Sequence, residues 1–383
     1  MKILIAPDSF KDCLPAYDVA VAIEKGIRRV LPKAKCKCLP MADGGEGTID
    51  AILNVKHGKK IHRLVSGPLG RKVRAGYGIL NNNKTAVIEM AAASGLMLVA
   101  PGRRNPLLTS SYGTGELIAD AMSRGVREII VGLGGSATVD GGAGMAQALG
   151  IRFRDQRGKV IRRKMTGTML GQIVAIDMDN INPAVGRIKI TTAVDVDNPL
   201  CGRLGAARVF GPQKGATVAM VKQLDNNLRH LAGMIKRDLH INVLKIKGGG
   251  AAGGLGAGMI AFTGAELIGG VELLAGLVGF DKKAADADLI ITGEGRIDAQ
   301  TRHGKVVAGV AEAGKRLGVP VIAIGGSVVD DVNDLFDSGL VAITSAVSRD
   351  MGLDEAIQLA PENIATAAER MLRLMLLGKR ITQ

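Results

Sequence analysis

The sequence predicts an α/β protein in which a flavodoxin-like, five-stranded parallel sheet is assembled from both ends of the chain. Two observations lead to this prediction. Short apolar runs alternate with amphipathic helical patterns at the start of the chain and again after about residue 285. Between these regions, short alternating runs separated by turns, such as residues 72–80 and 84–90, are typical of antiparallel sheet. We therefore predict one domain from residues 1–60 plus 285–383, and a large inserted mixed α/β domain at 61–284.

Five parallel strands account for the first of these domains. Two of them come from the N-terminal end, at Lys2–Ala6 and Lys35–Leu39, on either side of an amphipathic helix that Pro32 closes. The C-terminal end supplies the other three strands, at Leu289–Thr292, Pro320–Ile324 and Leu340–Thr344, and two helices, at about 305–317 and 354–376. Parallel strands joined by crossover helices form a doubly wound sheet with helices on both faces.

Composition and charge limit the kinds of partner. Of the 383 residues, 47% are hydrophobic and 22% are charged, which is typical of a globular chain, and the formal net charge is +14. A basic protein can attract nucleic acid, an anionic membrane or a small anion. Aromatic residues make up only 2% of the chain, with no Trp, whereas proteins that bind single-stranded nucleic acid need aromatic stacking platforms. We therefore expect a small anionic substrate and no nucleic-acid partner.

The cysteines and the N-terminal segment predict a cytoplasmic protein. The four cysteines, Cys13, Cys36, Cys38 and Cys201, lack the spacing of a disulfide framework or a zinc site and are predicted to be free thiols. The apolar run that opens the chain is too short for a signal peptide, and no segment has 18 consecutive apolar residues, so no membrane partner is expected. The sequence leaves open whether the chain forms a homodimer.

A glycine-rich loop in the inserted domain is the first candidate for a binding site. An apolar strand is followed by six glycines between Gly132 and Gly144, and then by a helical pattern. The N–H groups of such a loop can converge on an anion, and the dipole of the following helix favours negative charge. Ser136, Thr138 and Asp140 add polar side chains. The alternative is a tight turn that uses glycine for its positive φ angles. We call residues 132–144 the glycine loop.

Polar and acidic residues follow the first three predicted strands of the parallel sheet. In chain order they are Asp8, Ser9, Lys11, Asp43, Glu46, Glu294 and Asp298. Ligands of open α/β sheets bind at the carboxyl ends of the strands, so these side chains are predicted to share one edge. Carboxylates there can ligate Mg²⁺ or orient a hydroxyl group. For Asp43 and Glu46 the alternative is that they cap the following helix and complement its dipole.

The inserted domain carries two more polar stretches. Thr114 and Glu116 lie at the start of a predicted helix and are either caps or ligand contacts. A strand predicted at 191–199 delivers Asp195, Asp197 and Asn198 to its end. These positions extend the set of candidate ligand contacts beyond the glycine loop.

Glycine also marks two later stretches. Lys214 lies in a tight turn and is either a phosphate contact or a solvated lysine. The glycine-dense residues 248–258 are either a close-packed helix start or another loop that faces a ligand. Because no G-x-x-x-x-G-K-[ST] motif occurs, a phosphate site in this chain must be built from loops of this kind.

Two rival functions follow from weaker patterns. Gly132, Gly134 and Ala137 after a strand match a relaxed dinucleotide fingerprint, which indicates a nicotinamide-dependent oxidoreductase. The acidic residue expected about 20 positions later in that fingerprint lies in an irregular stretch at 152–156. The basic charge would also suit a nucleic-acid-binding module, but no recognised motif supports that function.

A series of motifs occurs in order along nearly the whole chain. They are APDSFK (6–11), ADGGEGT (42–48), SGPLG (66–70), IEMAAASGL (88–96), GTGEL (113–117), GGSATVDGGAGMAQALG (134–150), DVDNPL (195–200), FGPQKGA (210–216) and TGEGRID (292–298). Together they closely resemble the bacterial glycerate kinase family of class I. This resemblance implies phosphorylation of D-glycerate by ATP with Mg²⁺, typically at the 2-hydroxyl, giving 2-phospho-D-glycerate. The alternatives are a kinase that gives 3-phosphoglycerate or one that acts on a related hydroxy acid.

The resemblance implies an active site in the cleft between the two domains, and phosphoryl transfer suggests a role for each candidate. Asp195 is favoured as the general base over Asp8 or Asp43, and Lys11 is a further catalytic candidate. Asp43, Glu294 and Asp298 are candidates for holding Mg²⁺. The residues predicted to bind substrate or phosphate are Ser9, Asp43, Gly44, Gly45, Gly67, Thr114, Gly134, Gly135, Ser136, Thr138, Asp140, Gly141, Gly142, Asn198, Lys214, Gly293 and Glu294.

Two stretches depart from the family pattern. Where family members often read KGSLSA after the first strand, this chain has KDCLPA at 11–16, which removes hydroxyl groups that could cap a helix or face the substrate. A Gly-Gly run of the family is replaced by RRKMTGT at 162–168. Main-chain contacts of the kind that glycine allows are therefore not predicted at the second stretch.

Overall fold

The computed structural model describes residues 1–45, 47–81, 83–299, 301, 305–329 and 332–381, the last three of these by their backbone alone. Glu46, which the sequence places among the acidic candidates, lies outside the described residues. The chain forms two compact units. The first unit comprises 1–43, 50–56 and 269–383, and the second unit comprises 44–49 and 57–268. Within the described part of the chain, no helix has the length and apolar character needed to cross a membrane.

Strands and helices both occur in each of the two units. The strands are β1 (Lys2–Ile5), β2 (Lys35–Cys38), β3 (Gly58–Ser66), β4 (Lys72–Leu80), β5 (Thr85–Glu89), β6 (Glu128–Gly132), β7 (Arg152–Arg154), β8 (Ala175–Asp177), β9 (Lys189–Ala193), β10 (Glu266–Ile268), β11 (Leu289–Ile297), β12 (Val321–Val328) and β13 (Leu340–Ser345). The helices are α1 (Ala16–Val30), α2 (Thr48–Lys56), α3 (Ala91–Ser94), α4 (Tyr112–Ser123), α5 (Ala143–Ala148), α6 (Ala206–Phe210), α7 (Val218–Leu239), α8 (Ala251–Thr263), α9 (Gly270–Val278), α10 (Phe280–Ala284), α11 (Val306–Leu317), α12 (Asp334–Asp337), α13 (Leu353–Gln358) and α14 (Ala360–Ile381).

The first unit is built on a five-stranded sheet in the order β2-β1-β11-β12-β13, with every neighbouring pair parallel. Numbered within the unit, this is the flavodoxin-like order 2-1-3-4-5. Alternating strand residues and the apolar stripe of α1 form its core, which includes Ile3, Ile5, Val19, Ile23, Ile27, Ile291 and Ile324. The predicted fold class is confirmed.

Strand β11 is longer than the sequence suggests. The apolar run ends at Thr292, but the strand continues to Ile297 and pairs Glu294 with Gly325 of β12. Gly293 looks like a turn signal in the sequence. In the structure it allows close contact between strands, since a β-carbon added there would lie 2.3 Å from the carbonyl oxygen of Ile324. Glu294 is therefore a strand residue with a fixed direction, not part of a loop.

The C-terminal helical stretch is interrupted. One helix is predicted at 354–376, whereas the structure has α13 and α14 with a break at Leu359. Pro361 explains the break, because proline lacks the N–H that a helix interior needs but is tolerated in a first turn.

The second unit contains a six-stranded mixed sheet in the order β10-β9-β6-β5-β4-β3. The expected antiparallel arrangement is correct for β3, β4 and β5, but β5, β6, β9 and β10 run parallel to one another. The parallel part arises because helices, including α4 and α5, separate these strands in the chain and serve as crossovers. The carboxyl ends of β6 and β9 therefore lie side by side, at Gly132 and Ala193.

Candidate functional site

The glycine loop joins the end of β6 to the start of α5. Gly135, Gly141 and Gly142 have φ angles of +70°, +60° and +76°, which L residues rarely adopt. The tight-turn explanation for these glycines is therefore correct. It does not exclude an anion site at the rest of the loop, although the N–H groups of Gly141 and Gly142 already donate to the Gly253 carbonyl oxygen and the Asp140 carboxylate.

Gly44 and Gly45, which follow the second predicted strand, pack directly against the glycine loop. Gly44 and Gly45 belong to the second unit. A β-carbon added to Gly132 would lie 2.1 Å from the Gly44 carbonyl oxygen, and one added to Gly134 would lie 2.6 Å from the Gly45 α-carbon. Gly44 has a φ of +90° and also packs on Ala193 at the end of β9. Three of the predicted stretches thus meet at the carboxyl ends of β6 and β9, backbone against backbone.

Asp140 is a buried carboxylate inside the glycine loop. One of its oxygens accepts hydrogen bonds from the Ser111 N–H at 2.7 Å, the Ser111 hydroxyl at 2.8 Å and the Gly144 N–H at 3.3 Å. The other oxygen accepts from the Gly142 N–H at 3.2 Å. Burial raises the pKa of Asp140, and these four donors oppose that shift. The carboxylate therefore ties the start of α5 to the start of α4.

Lys214 lies beneath the same loop with only 2% of its surface exposed. A 3₁₀ turn at Pro212–Lys214 directs it inward, and its Nζ donates to the Ser136 hydroxyl at 2.7 Å and to the Thr138 carbonyl oxygen at 2.8 Å. Burial lowers the pKa of this amine to about 7, while the charge of Asp140 acts in the opposite direction. The solvated-lysine alternative is wrong, because the side chain is buried against the loop that the sequence selects as a phosphate site.

The glycine-dense stretch at 248–258 packs against the glycine loop. Gly253 and Gly254 have φ angles of +70° and +89°, and the Gly141 N–H donates to the Gly253 carbonyl oxygen at 3.1 Å. A β-carbon on Gly258 would lie 2.4 Å from the Gly141 carbonyl oxygen. Of the two predicted alternatives, close packing at a helix start is the one that the structure shows.

Thr114 is connected to the glycine loop through a neighbour. Its hydroxyl shares a 2.8 Å hydrogen bond with the Ser94 hydroxyl, and the Ser94 carbonyl oxygen accepts from the Ala137 N–H at 2.9 Å. Gly113, which precedes it in α4, packs on the Ser66 carbonyl oxygen, next to Gly67. The first turn of α4 therefore links the stretch around Gly67 to the glycine loop.

The stretch at 162–168, which departs from the family pattern, contributes a side chain at this point. Lys164 donates from Nζ to the Ser66 hydroxyl, and the same Nζ lies 4.9 Å from the centre of the Tyr112 ring. A cation therefore stands beside Ser66, the residue that precedes Gly67.

Asp195 follows β9, which ends at Ala193 rather than continuing through 199. Its side chain is half-buried. Asn198, three residues later, donates from its amide to the Leu204 carbonyl oxygen at 2.8 Å, and its own carbonyl oxygen accepts from the Gly250 N–H at 2.9 Å. The loop that carries Asp195 is therefore anchored on both sides, by β9 and by Asn198.

In the first unit, Asp8 lies at the end of β1 with Ser9 beside it. The Ser9 N–H donates to the Asp8 carboxylate at 2.6 Å, and the Asp8 N–H donates to the Gly293 carbonyl oxygen at 2.8 Å. Burial and, next, the charge of Asp43 raise the pKa of Asp8 to about 8. The structure thus places Asp8, Ser9, Asp43 and Gly293 near one another, as the sequence predicts for a shared sheet edge.

Glu294 lies on the same edge and is almost fully buried. It accepts hydrogen bonds from the Thr301 hydroxyl and from Lys305 Nζ, the latter at 3.2 Å. Burial raises its pKa, Thr301 and Lys305 oppose the shift, and the nearby charge of Asp298 adds to it. Asp298 also forms an ion pair with Arg296 at 3.2 Å. The Lys11 side chain is exposed, and its main chain packs on Gly295.

Two residues of these sites are absent from the predicted set. Ser111 precedes α4, where a serine normally caps the helix, but its hydroxyl instead donates to Asp140 and accepts from the Met145 N–H at 2.9 Å. Lys305 lies eleven positions after Glu294, and no local pattern marks it. Identifying either residue requires knowledge of its contacts with residues distant in the chain, which local sequence patterns do not contain.

The stretch at 152–156 has no feature of a nicotinamide site. Arg152–Arg154 pairs with β8 in a two-stranded antiparallel sheet. The Asp155 carboxylate accepts from the N–H groups of Arg157 and Lys159, at 2.9 and 3.0 Å, within a turn. This acidic residue serves local turn structure.

Comparisons with known proteins identify the family. A model of the glycerate kinase family matches residues 3–376. The glycerate kinase of Halalkalibacterium halodurans is 51% identical over 369 residues, which cover 96% of this chain and 97% of that protein. The glycerate 2-kinase of Escherichia coli K12 is 48% identical over 380 residues, covering 99% of each. A crystal structure of a Salmonella typhimurium LT2 protein assigned as glycerate kinase 2 has a TM-score of 0.89 and 47% identity, with 99% of each chain covered. This chain therefore belongs to the glycerate kinase family.

Proposed function

We propose that this chain, an enzyme of the glycerate kinase family, transfers the γ-phosphoryl group of ATP to the 2-hydroxyl of D-glycerate and releases 2-phospho-D-glycerate. The observation that carries the proposal is the buried amine of Lys214 against the six-glycine loop, in a chain without a P-loop motif. The choice of the 2-hydroxyl is supported by the name of the Escherichia coli relative, a glycerate 2-kinase that is 48% identical.

The glycine loop and Lys214 are the proposed phosphate site. Gly44 and Gly45 pack on the start of the loop, at Gly132 and Gly134, so that backbone lies against backbone at the end of β6. Phosphoryl transfer needs positive charge and N–H donors that spread the charge of the γ-phosphate, with little covalent chemistry from the protein. A lysine buried against such a loop can supply positive charge and hold the phosphate group in place.

The proposed general base is Asp195. In the transfer, the hydroxyl oxygen of glycerate bonds to the γ-phosphorus, the bond from that phosphorus to the β,γ-bridging oxygen breaks, and the hydroxyl proton passes to a carboxylate. A base must be ionised before it accepts the proton. Asp195 is favoured because it follows the end of β9, which pairs with the end of β6 where the glycine loop begins. For Asp8, burial raises the pKa and so opposes the ionised form that a base needs.

The edge of the first unit is the proposed place for Mg²⁺. Asp43, Glu294 and Asp298 are the proposed ligands, of which Glu294 also accepts from Thr301 and Lys305, and Asp298 also pairs with Arg296. Burial and, next, the charge of Asp43 raise the pKa of Asp8, and a divalent cation relieves repulsion of that kind. Among the described residues, no group of three or more His, Cys, Asp or Glu side chains is arranged to hold a metal ion. Mg²⁺ bound to a nucleotide needs only one or two carboxylates, so this edge fits it. When bound, Mg²⁺ neutralises charge on the β- and γ-phosphate oxygens.

The excess of positive charge supports an anionic substrate. The formal net charge is +14, and Lys11 is exposed beside Ser9 and Asp8 at the end of β1. A positive field raises the local concentration of anions such as glycerate and ATP. Lys11 and Ser9 are accordingly proposed as contacts for the substrate.

The test is ATP turnover with D-glycerate and Mg²⁺, coupled through enolase with and without phosphoglycerate mutase. Signal with enolase alone is the expected result, since enolase consumes 2-phosphoglycerate directly. Signal that requires mutase would show 3-phosphoglycerate and overturn the regiochemistry. Absence of turnover with glycerate, together with turnover on another hydroxy acid, would overturn the substrate.

A further inference from the structure

The amine of Lys214 is buried without a carboxylate partner. Its Nζ donates to two neutral oxygens, the Ser136 hydroxyl and the Thr138 carbonyl, and its side chain is 2% exposed. No carboxylate among the described residues comes within ion-pair distance of it. A lone buried ammonium is costly, since burial penalises the charged form.

The charged groups around this amine are few. Asp140 is the carboxylate whose field acts on it, and four donors from Ser111, Gly142 and Gly144 already share that charge. On the other side, Gly215 packs on the backbone of Arg104, whose Nε is directed to the Val99 carbonyl oxygen at 3.4 Å. Burial outweighs Asp140 and lowers the pKa of Lys214 to about 7.

The two hydrogen bonds of Lys214 Nζ satisfy both N–H donors of a neutral amine. A neutral amine has two N–H donors, and Lys214 makes two donated bonds, whereas an ammonium has a third donor to place. In addition, the Thr138 hydroxyl is buried and has no hydrogen-bond partner in the described structure. An anion at this loop offers acceptor oxygens for both groups, and its field favours the charged amine.

We propose that Lys214 is a proton-coupled anion receptor, in which binding of a phosphate-bearing anion at the glycine loop draws a proton from solvent onto the neutral amine. The step is RNH₂ + H⁺ → RNH₃⁺, with no other bond made or broken. This inference rests on the proposed function, because it places nucleotide phosphates at the glycine loop. It assigns Lys214 a role that depends on its neutral form, which a permanently charged residue could not perform.

The experiment is calorimetric titration of the full chain with ADP at pH 8 in buffers of different ionisation enthalpy. We expect uptake of about 0.5–1 proton per ADP bound, and an affinity for ADP that falls up to about tenfold per pH unit above neutrality. Lys214→Met should lose both the uptake and much of the affinity. Lys222→Met, which changes an exposed lysine of α7, should keep both.

These outcomes distinguish the proton coupling of Lys214 from the proposed phosphate site at the glycine loop. Binding of ADP without proton uptake, together with weaker binding by Lys214→Met, would overturn the proton coupling and leave the phosphate site standing. Equal uptake and equal affinity in wild type and Lys214→Met would overturn both.

A second measurement applies if Lys214→Met does not fold. Lysine ¹³Cε NMR of the wild-type protein should show one lysine that titrates near neutral pH without ADP and well above it with ADP. Titration of every lysine above about pH 9 in the free protein would overturn the inference.

Discussion

The backbones of Gly253 and Thr138 are in direct contact: a β-carbon built on Gly253 would lie 1.9 Å from the Thr138 carbonyl oxygen. That same oxygen accepts the hydrogen bond from Lys214 Nζ. A glycine on α8, more than a hundred residues away in the chain, therefore sets the position of an acceptor in the candidate phosphate site. The first prediction follows from this contact.

Gly253→Ala should destabilise the protein by about 2–5 kcal/mol. The φ of +70° costs an L residue about 1–2 kcal/mol, and the overpacking against main chain, which cannot rotate away, adds about 1–3 kcal/mol. Urea unfolding measures the change. The matched control is Gly233→Ala in α7, where a β-carbon meets nothing within 4 Å and should add about 0.5–1 kcal/mol of stability. Equal effects of the two substitutions would contradict the packing argument.

Ser111→Ala should cost about 1–3 kcal/mol of stability, because it removes a hydroxyl that donates to Asp140 and accepts from Met145. The buried Met145 N–H would lose this acceptor, and the buried Asp140 carboxylate would lose one of its four donors. Ser123→Ala removes an exposed hydroxyl at the other end of α4 and should change stability by less than about 0.5 kcal/mol. Thermal or urea unfolding of both variants measures these changes. An unchanged free energy of unfolding in Ser111→Ala would show that the hydrogen bonds around Asp140 do not stabilise the protein.

Asp195→Asn should lower kcat by about 10²–10⁴-fold, the usual effect of removing a general base. The amide keeps the size of the side chain but cannot accept the hydroxyl proton. The control is Asp197→Asn, two residues away, where the side chain is 83% exposed and lies 3.4 Å from Lys247. Steady-state kinetics with saturating substrates should leave Asp197→Asn near wild type. A loss of only about tenfold in Asp195→Asn would rule out its role as the base.

Asp43→Asn should lower the pKa of Asp8, because the charge of Asp43 is, after burial, the largest cause that raises it to about 8. The folded pKa of Asp8 lies above the unfolded value of about 3.9, so the folded state binds more protons between these values and stability falls as pH rises. Urea unfolding from pH 5 to pH 8 in the presence of a chelator should show this fall in wild type.

The fall should be smaller in Asp43→Asn and smaller still in Asp8→Asn, where the raised pKa values of Glu294 and Asp140 leave a residual slope. Asp12→Asn serves as the control, since Asp12 is exposed and asparagine tolerates its φ of +58°. If all four proteins show the same slope of stability against pH, Asp8 does not titrate in this range.

Local patterns in the sequence determined much of the architecture. The alternation in residues 72–80 predicts β4 at its observed bounds, and the five parallel strands follow from apolar runs separated by helical periodicity. Such signals are local, since one strand or helix turn needs only its own residues to show them. The ordered motifs were sufficient to indicate the family, which the comparisons then established.

The tertiary structure decided what each glycine and each charge does. The sequence predicts Gly293 as a ligand contact and places Gly253 in either a close-packed helix start or a loop that faces a ligand. In the structure both glycines allow close contact between distant backbones. The sequence leaves Lys214 as either a phosphate contact or a solvated turn lysine, and only its burial against Ser136 and Thr138 gives it a pKa of about 7. Ser111 looks like a helix cap until Asp140 is placed beside it. In each case the property depends on desolvation or contact with residues far away in the chain, which local sequence does not encode.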